Sequence, residues 1–595
     1  MCQSEVLCCS IPASIRRALD DLPRSLDKTY EQVFLETAAE KQNHAHRCFQ
    51  CLAVSVRPLR AQELAEIPAT QFEGPLPTNN AHWRPETPEK AALSACSSLV
   101  AVVDLDGSSV VQFSHFSVKE FLTSERLLNT GRNLSSLYIL PRSAHTTFAK
   151  ACLSVLLNDH TDKNGMENSP LAIYAARDWV YRGQCEEASL SIMELMKCLF
   201  DQTKPYFSTW VSMYDIDTPF REPMFETKFA IPPIRPGAVP LYYAILCGFR
   251  DLIGYLVLTF PTLVNARGGY HATPLHAMVT TGNTDIMPLL LNIGAEENTL
   301  DDQGWSPLHR VSRSGDLDVL KLLLKRQTDV DILGSDEGTP LFLASHDGNV
   351  IVAWILLRHD AVVDTRKKHS WTPLTAASRL GHIGFVRLLI QNGAAVDSQE
   401  DKGWTPLQLA SRYGHLDVVQ ELVACGANVN AQKHDLWTPL HLAPGVGNVE
   451  VAEALLVHGA AVDMKNTKSG TPLGPAPRSG ELKIARLLIK RGADVNFRDN
   501  NNRTPLHSAL WNGRLDVVRL LLESLTDIGI QNENLRTPLA LTSRHGQLDI
   551  SPLLIRRGAD VNSSDGVTRV GSPYTGPRDT DILTPCGCYL SMAQQ

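Results

Sequence analysis

A proline–leucine pair recurs ten times at an almost constant interval in this sequence. The first interval is 34 residues and the other eight are 33, and a glycine stands eight residues after every proline. The prolines are Pro240, Pro274, Pro307, Pro340, Pro373, Pro406, Pro439, Pro472, Pro505 and Pro538. A fixed period of this length indicates a row of small structural units, each of which buries its apolar face against its neighbours.

Each unit predicts two short helices, most plainly in WTPLQLASRYGHLDVVQELVACGANVN at residues 404–430. Thr405 can cap the first helix with its hydroxyl, and Pro406 suits the first helical position, where the backbone N–H has no partner. Gly414 ends this helix in the left-handed conformation that glycine adopts most easily. Residues 416–423 then repeat apolar side chains at helical spacing, so the unit is helix, turn, helix and loop.

The T-P-L-H opening and the 33-residue period resemble ankyrin repeats, over residues 236–562. The fold class that follows is mainly α, with a solenoid of about ten repeats. The resemblance implies an extended concave surface, built from loop tips and first helices, that binds partner proteins.

Tryptophan stands directly before the Thr/Ser-Pro pair in four repeats, at Trp305, Trp371, Trp404 and Trp437. This place lies near the loop tips, and tryptophan is common at interface hot spots. We therefore expect these four residues to bind a partner, the last three as a short aromatic ladder in consecutive repeats. The alternative is that each indole packs on its own repeat. Trp511 lies in a turn and does not belong to this series.

Histidine fills the fourth place of TPLH at His276, His309, His441 and His507. These side chains could be metal ligands or bases, and the alternative is a local hydrogen bond at the helix start. We predict the local role.

The array has irregular places. Pro475 and Pro477 fall in the first helix of the eighth repeat, where an interior proline costs about 3 kcal/mol or more. Together with Pro444 and Gly445 they predict a bend or soft hinge at residues 444–480. The second glycine of the repeat is replaced in four copies, whose turns should be less regular. The replacing residues are Phe260, Gln327, Asp360 and Leu525.

Composition places the whole chain among globular proteins, with 43% hydrophobic and 20% charged residues. A net charge of −8 and a pI near 6.2 favour neither nucleic acid nor membrane surfaces as partners. The first ten residues lack the pattern of a signal peptide, and no apolar run is long enough for a membrane span. Thirteen cysteines spread over this length fit a reducing compartment, so we expect an intracellular, cytoplasmic protein.

The N-terminal third is not repetitive. Residues 26–40, 46–56 and 60–66 predict helices, residues 71–90 a loop, and residues 97–113 a β-hairpin. Three helices followed by a hairpin form a winged-helix pattern. The expected domains are a linker remnant at 1–20, a winged-helix-like domain at 21–130, a helical connector at 131–235, the repeats at 236–562, and a disordered tail or degenerate cap at 563–595.

Metal and catalytic motifs are weak. His44, His46, Cys48 and Cys51 lie close together, but they lack the second knuckle of a structural zinc site, so buried core thiols are the better interpretation. Cys586 and Cys588 form a CGC in the tail, where a reactive or metal-binding pair competes with incidental thiols. The sequence has neither G-x-S-x-G nor H-E-x-x-H. We expect no metal, no cofactor and no catalysis.

Several N-terminal phrases are similar to the segment that follows the nucleotide-binding module of fungal NACHT proteins, which are NLR-like signalling NTPases of the STAND class. They are LPRSLDKTYEQVF, CLAVSVRPLRAQELAEI, CSSLV, FSHFSVKEFL, PLAIYAARDWV and STWVSMYDIDTP. The resemblance spans residues 3–235. In that class a winged-helix histidine faces bound ADP, which makes His115 a candidate nucleotide sensor; the alternative is a structural histidine at a strand-to-helix junction.

Nucleotide binding in that class needs a P-loop, G-x-x-x-x-G-K-[ST], and this sequence contains no Gly-Lys pair. We therefore expect the C-terminal part of a NACHT–ankyrin protein without its NTPase module, whether as a truncated gene model, a natural truncation or a degenerate paralogue. The leading function is a protein-binding scaffold or sensor arm. The alternatives are a regulatory fragment of a signalling NTPase encoded upstream, and an adaptor that presents substrates to another enzyme.

Overall fold

The computed structural model describes most of the chain between residues 39 and 561. The described ranges are 39–67, 70–71, 78–79, 99–105, 108–125, 138–157, 170–185, 188–214, 238–269, 272–326, 328–443, 447–476, 481–544 and 549–561, with isolated positions at 30, 90, 96, 127, 216 and 547. These residues form two compact units that divide between Asp302 and Gln303. Each unit is described separately below.

Two small antiparallel sheets lie in the N-terminal unit. The strands are β1 (Leu59–Arg60), β2 (Thr70–Gln71), β3 (Thr78–Asn79), β4 (Val100–Leu105) and β5 (Ser108–Phe113). β5 lies between β1 and β4, and β4 and β5 are paired as the alternating apolar residues predict, with Val102 opposite Val111. β2 pairs with β3, so the segment expected to be a loop contains a short ladder. Backbone pairing of two residues needs no apolar alternation, which is why the sequence did not indicate it.

Helices contact strands of both sheets. Those of the N-terminal unit before the repeats are Ala39–Val54, Ala61–Glu66, Phe116–Thr123, Pro141–Leu156, Pro170–Gly183, Ala188–Ser191, Met193–Leu199 and Tyr206–Met213. The helix Ala39–Val54 begins before the predicted start at residue 46, because AEKQ at its start consists of good helix formers. Glu63 stabilises the start of the next helix, since its carboxylate accepts from Arg60 N at 2.8 Å and pairs with Arg57 at 2.6 Å.

An aromatic cluster joins the connector helices to the first repeat. Trp179 packs edge-on against Trp210 with ring centroids 5.3 Å apart and stacks on Phe249 of the first repeat at the same distance. The indole N–H of Trp210 donates to the carbonyl of Ala176 at 2.9 Å, so this buried polar group is satisfied. Phe249 is 3% exposed. The connector and the first repeat therefore share one hydrophobic core.

The repeats, numbered 1 to 10 by their prolines, contain paired helices. The helices are Pro240–Cys247, Arg250–Thr259, Pro274–Thr281, Met287–Asn292, Pro307–Ser314, Leu317–Leu324, Pro340–Asp347, Val350–Arg358, Pro373–Leu380, Ile383–Gln391, Pro406–Tyr413, Leu416–Ala424, Pro439–Leu442, Val449–Val457, Leu482–Lys490, Pro505–Trp511, Leu515–Glu523, Pro538–Arg544 and Ser551–Arg556. Short 3₁₀ helices occur at Pro261–Asn265, Thr284–Ile286 and Lys368–Ser370. The predicted α-helical solenoid is confirmed.

The residues of the repeat adopt the local roles that the sequence predicts. In repeat 6 the hydroxyl of Thr405 accepts from the backbone N–H of Gln408 at 3.2 Å, and Pro406 is the first helical residue. Gly414 closes the helix with φ +81°. The leucine after the proline, Leu407, is fully buried. The same proline thus starts the helix and places its neighbour in the core.

Repeats 7 and 8 depart from this pattern. The first helix of repeat 7 ends at Leu442 after four residues, where repeats 5 and 6 have eight. In repeat 8, turns occupy residues 472–474 and only Pro475 and Ala476 of the described residues are helical. Residues 444–446 and 477–480, at the centre of the predicted hinge, lie outside the described residues. The turns at residues 472–474 are the described departure of repeat 8 from the pattern, and the hinge itself stays a prediction.

Replacement of the second glycine has different effects in different repeats. Asp360 and Leu525 keep the left-handed conformation of the glycine they replace, with φ +63° and +61°. The expectation of a less regular turn is therefore wrong for repeats 4 and 9, since the local fold imposes the turn on a side chain that disfavours it. In repeat 1, Phe260 has φ −131° and precedes a 3₁₀ helix, so that turn does differ. Gln327 lies outside the described residues.

Candidate functional site

Neighbouring loop tips of repeats 5 to 10 are connected by backbone hydrogen bonds. The N–H of Asp401 donates to the carbonyl of His369 at 3.2 Å, and the N–H of His434 donates to Lys402 at 3.2 Å. The next links are Thr467 to Asp435, Asn500 to Lys468 and Glu533 to Asn501, at 2.9–3.1 Å. These bonds fix the positions of the tips, so the residues beside them form a pre-organised surface.

Two of the predicted tryptophans lie on this surface against arginines of their own repeats. The guanidinium of Arg379 is 5.5 Å from the ring centroid of Trp371 and 5.7 Å from that of Tyr413 in the next repeat. Arg412 is 5.1 Å from the ring of Trp404. Both arginines occupy the last turn of a first helix and are exposed. Cations and aromatic rings therefore alternate across repeats 5 and 6.

A shallow depression of about 370 Å³ lies among these side chains, and the residues lining it include Glu400, Asp401 and Lys402. Glu400 is 7% exposed, and its carboxylate accepts from the backbone N–H groups of Lys402 at 2.9 Å and Trp404 at 3.1 Å. Asp401 accepts from the Ser370 hydroxyl at 2.6 Å. Both acidic groups are thus engaged in holding the loop tips.

The structure brings together Trp371 and Trp404 but does not produce the expected ladder of three indoles. Trp371, Trp404 and Trp437 are all described, and no ring-to-ring contact joins them. Trp437 instead contacts His441, with ring centroids 5.5 Å apart, and lines a second depression of about 370 Å³ together with Trp511. Trp511, set aside on sequence grounds, is therefore near the series.

Trp305 repeats the arrangement in repeat 3, with the guanidinium of Arg313 5.2 Å from its ring. All four predicted tryptophans are half-buried, so each packs on its own repeat and also presents surface. Their role in partner binding stays a prediction. These arginines were not identified from the sequence, although an arginine stands six residues after the proline in five repeats. These residues are Arg313, Arg379, Arg412, Arg478 and Arg544.

The TPLH histidines form the predicted local hydrogen bonds. In repeat 7 the Thr438 hydroxyl lies 2.8 Å from Nδ1 of His441, and Nε2 of His441 lies 3.1 Å from the carbonyl of Gly470 in the next repeat. The Nε2–H tautomer satisfies both contacts. Burial lowers the pKa of His441 and of its counterpart His507. A neutral imidazole thus joins consecutive repeats.

His115 lies at a strand-to-helix junction. It precedes the helix Phe116–Thr123, and its Nδ1 accepts from the backbone N–H of Ser117 at 3.2 Å. The side chain is exposed and its ring lies 4.3 Å from that of Phe116. These contacts show that His115 caps the helix. Its role as a nucleotide sensor stays a prediction.

The two cysteines of the cluster near residue 48 belong to the hydrophobic core, while His44 and His46 are half-buried. Cys48 and Cys51 are 1% and 0% exposed. Burial raises the pKa of the Cys51 thiol well above its ordinary value, a condition that favours the neutral thiol. Within the described ranges no group of three or more His, Cys, Asp or Glu side chains is arranged to hold a metal ion. Cys586 and Cys588 lie outside the described residues.

Comparison with known protein families identifies the array. A family model described as "Ankyrin repeats (3 copies)" matches five overlapping segments that together cover more than half of the chain. The segments are 241–334, 326–400, 384–466, 440–532 and 499–565. The chain belongs to the ankyrin-repeat family. Ankyrin repeats indicate protein partners, and the surface described above is built from the first helices and loop tips of such repeats.

One curated relative of this ankyrin-repeat protein is "Azaphilone pigments biosynthesis cluster protein L" of Monascus ruber. It is 26% identical over 294 residues, which are 47% of this chain and 61% of the relative. The chain thus spans less than two thirds of the length of that protein. Separately, no described helix combines the length and apolarity needed to cross a bilayer.

Proposed function

We propose that this ankyrin-repeat protein is an intracellular, cytoplasmic scaffold or sensor arm that recognises protein partners and performs no catalysis itself. The observation that supports this proposal best is the surface of repeats 5 and 6, where Trp371 and Trp404 are half-exposed beside fixed loop tips. Pre-organised aromatic side chains bind partners with little loss of conformational entropy. Tryptophan is also the residue type most enriched among interface hot spots.

The direct test compares partner recovery by the full chain and by the double variant Trp371→Ala/Trp404→Ala. Trp354 supplies a matched control, because it stacks on Arg358 at 4.7 Å but lies on the second helix of repeat 4. Cross-linking followed by quantitative mass spectrometry in a fungal host would measure recovery. We expect the double variant to lose a defined set of partners by about tenfold or more, while Trp354→Ala retains them. Equal recovery by all three proteins would contradict the proposal.

A second candidate function is the regulatory part of a NACHT-type signalling NTPase. It is supported by the ordered phrases of residues 3–235 and by the position of His115 directly before a helix that follows a β-hairpin. In this proposal residues 21–130 act as a winged-helix-like domain and residues 131–235 as a helical connector.

Reading the 5′ end of the transcript into the upstream genomic sequence tests this second candidate. An in-frame G-x-x-x-x-G-K-[ST] joined to this coding sequence would support it, and would make His115→Ala worth testing for altered nucleotide release. A transcript that starts at Met1 would favour a separate scaffold or adaptor.

A further inference from the structure

Arg379 and Arg412 differ from Arg313 and Arg387 in their charge environment. Arg313 lies 3.4 Å from the carboxylate of Asp347, and Arg387 lies 2.7 Å from that of Glu421. Across the ranges that the structure describes, no carboxylate lies within 4.0 Å of Arg379 or Arg412, while each stacks on aromatic rings. Stacking uses the guanidinium face and leaves its N–H edge available to an acceptor.

The acidic residues nearby do not neutralise this pair. Glu400 is buried and accepts two backbone N–H groups, and Asp401 accepts from Ser370 and lies 3.4 Å from Nδ1 of His369. Three cationic side chains, Arg379, Lys402 and Arg412, line the depression against these two carboxylates, so it carries a net positive charge within a chain whose net charge is −8. A local positive patch of this kind is complementary to an acidic partner.

The two guanidinium groups are held at a defined separation. They occupy equivalent places in consecutive first helices that pack against each other, and packed helices lie about 8–10 Å apart. The imidazole Nε2 of His415 lies 3.0 Å from the carbonyl of Arg379, which anchors the end of the first of these helices. A peptide in the polyproline II conformation advances about 3.1 Å per residue with three residues per turn, so side chains three residues apart lie on one face and match this separation.

We propose that this surface binds an acidic segment of a partner protein, with carboxylates at positions i and i+3 paired to Arg379 and Arg412. The side chains of Trp371, Trp404 and Tyr413 cover the carbon atoms between these carboxylates. Each guanidinium lies against an aromatic ring, and its N–H edge suits a monoanionic carboxylate in a bidentate pair. The proposal rests on the proposed protein-binding function and specifies the partner's chemistry.

Fluorescence anisotropy of the full chain with a fluorescein-labelled peptide, Glu-Leu-Gly-Glu-Leu-Gly-Glu, tests it. We expect saturable binding that weakens with added salt, and at least about tenfold weaker binding when every Glu is replaced by Gln. Arg379→Gln and Arg412→Gln should each lower the affinity about tenfold. Arg358→Gln should leave it unchanged, because Arg358 also stacks on a tryptophan but lies on the second helix of repeat 4.

Several results would overturn the proposal. One is that the Glu and Gln peptides bind equally well. A second is that Arg358→Gln lowers the affinity as much as Arg379→Gln does. A third is that the Glu peptide does not bind in low salt. Binding of a phosphoserine peptide or of phosphatidylcholine–phosphatidylserine vesicles (4:1), without binding of the Glu peptide, would do the same. Circular dichroism establishes that each variant is folded. If partner recovery depends on Trp371 and Trp404 but not on the arginines, the scaffold function stands and the acidic partner is wrong.

Discussion

The indole of Trp179 stacks on the ring of Phe249, with centroids 5.3 Å apart and planes inclined by 18°. Trp179 belongs to a connector helix and Phe249 to the first repeat. The first repeat of a solenoid has no preceding repeat against which to bury its apolar face. In this chain the connector covers that face, so it performs the role of an N-terminal cap.

Removal of the Phe249 ring should therefore destabilise the N-terminal unit. Phe249→Ala deletes a buried ring that contacts Trp179, and such a deletion costs about 3–5 kcal/mol. Urea titration followed by hydrogen exchange in peptides from Pro170–Gly183 would measure the loss. Leu258→Ala, at a side chain 78% exposed on the next helix, is the matched control and should change stability by less than about 0.5 kcal/mol. Similar losses in both variants would show that the connector does not act as a cap.

Leu525 offers a stabilising substitution. It has φ +61° and is 93% exposed, so it bears left-handed strain without burying apolar surface. Leu525→Gly should relieve about 1 kcal/mol of strain at no packing loss, and denaturant unfolding of the full chain would detect it. Asp360→Gly should gain less, because aspartate tolerates this conformation better than leucine. A destabilised Leu525→Gly variant would contradict the strain argument.

The sequence predicted the repeat because each of its residues acts locally. Thr405, Pro406 and Gly414 cap, start and end a helix through contacts within a few residues, which spacing alone reveals. The local hydrogen bonds of the TPLH histidines could be predicted from the sequence for the same reason. The domain boundaries and the partner-binding role of the tryptophans stay predictions.

Contacts between distant segments could not be predicted in this way. The ring contact between Trp179 and Phe249 forms only when the chain has folded. The same holds for the contact of Arg379 with the ring of Tyr413 in the following repeat. The expected ladder of indoles failed because an arginine side chain, not a second indole, lies against each ring of Trp371 and Trp404. The charge of the surface thus depends on neighbours that are remote in the sequence.

Hydrogen exchange should be faster in repeats 7 and 8 than in repeats 5 and 6. The first helix of repeat 7 has four residues, and the described part of repeat 8 has turns where a first helix is expected. We therefore expect weaker packing for the second helices Val449–Val457 and Leu482–Lys490 than for Ile383–Gln391 and Leu416–Ala424. Exchange mass spectrometry of the full chain would compare the four helices. Equal protection would exclude the soft hinge predicted at residues 444–480.

The stability of repeat 7 should decrease in mild acid through His441. Burial lowers the pKa of this histidine below 6.5 in the folded chain, so the unfolded chain binds the additional proton first. The stabilising contribution is complete above about pH 6.5 and decreases as the pH falls towards the folded pKa. Protonation places a proton on Nδ1, which otherwise accepts from the backbone N–H of Thr438 at 3.2 Å.

Repeat 6 supplies the natural control for this effect, because Gln408 stands in the same place. Its Oε1 accepts from the N–H of Thr405 at 2.9 Å, and its Nε2 donates to the carbonyl of Trp437 in the next repeat at 2.9 Å. His441→Gln should therefore keep both contacts while reducing the loss of stability between pH 7 and pH 5, measured by urea unfolding at each pH. Gln408→His should introduce a new loss over the same range. If His441→Gln leaves the pH dependence unchanged, titration of this histidine does not destabilise the array, and its hydrogen bonds survive protonation.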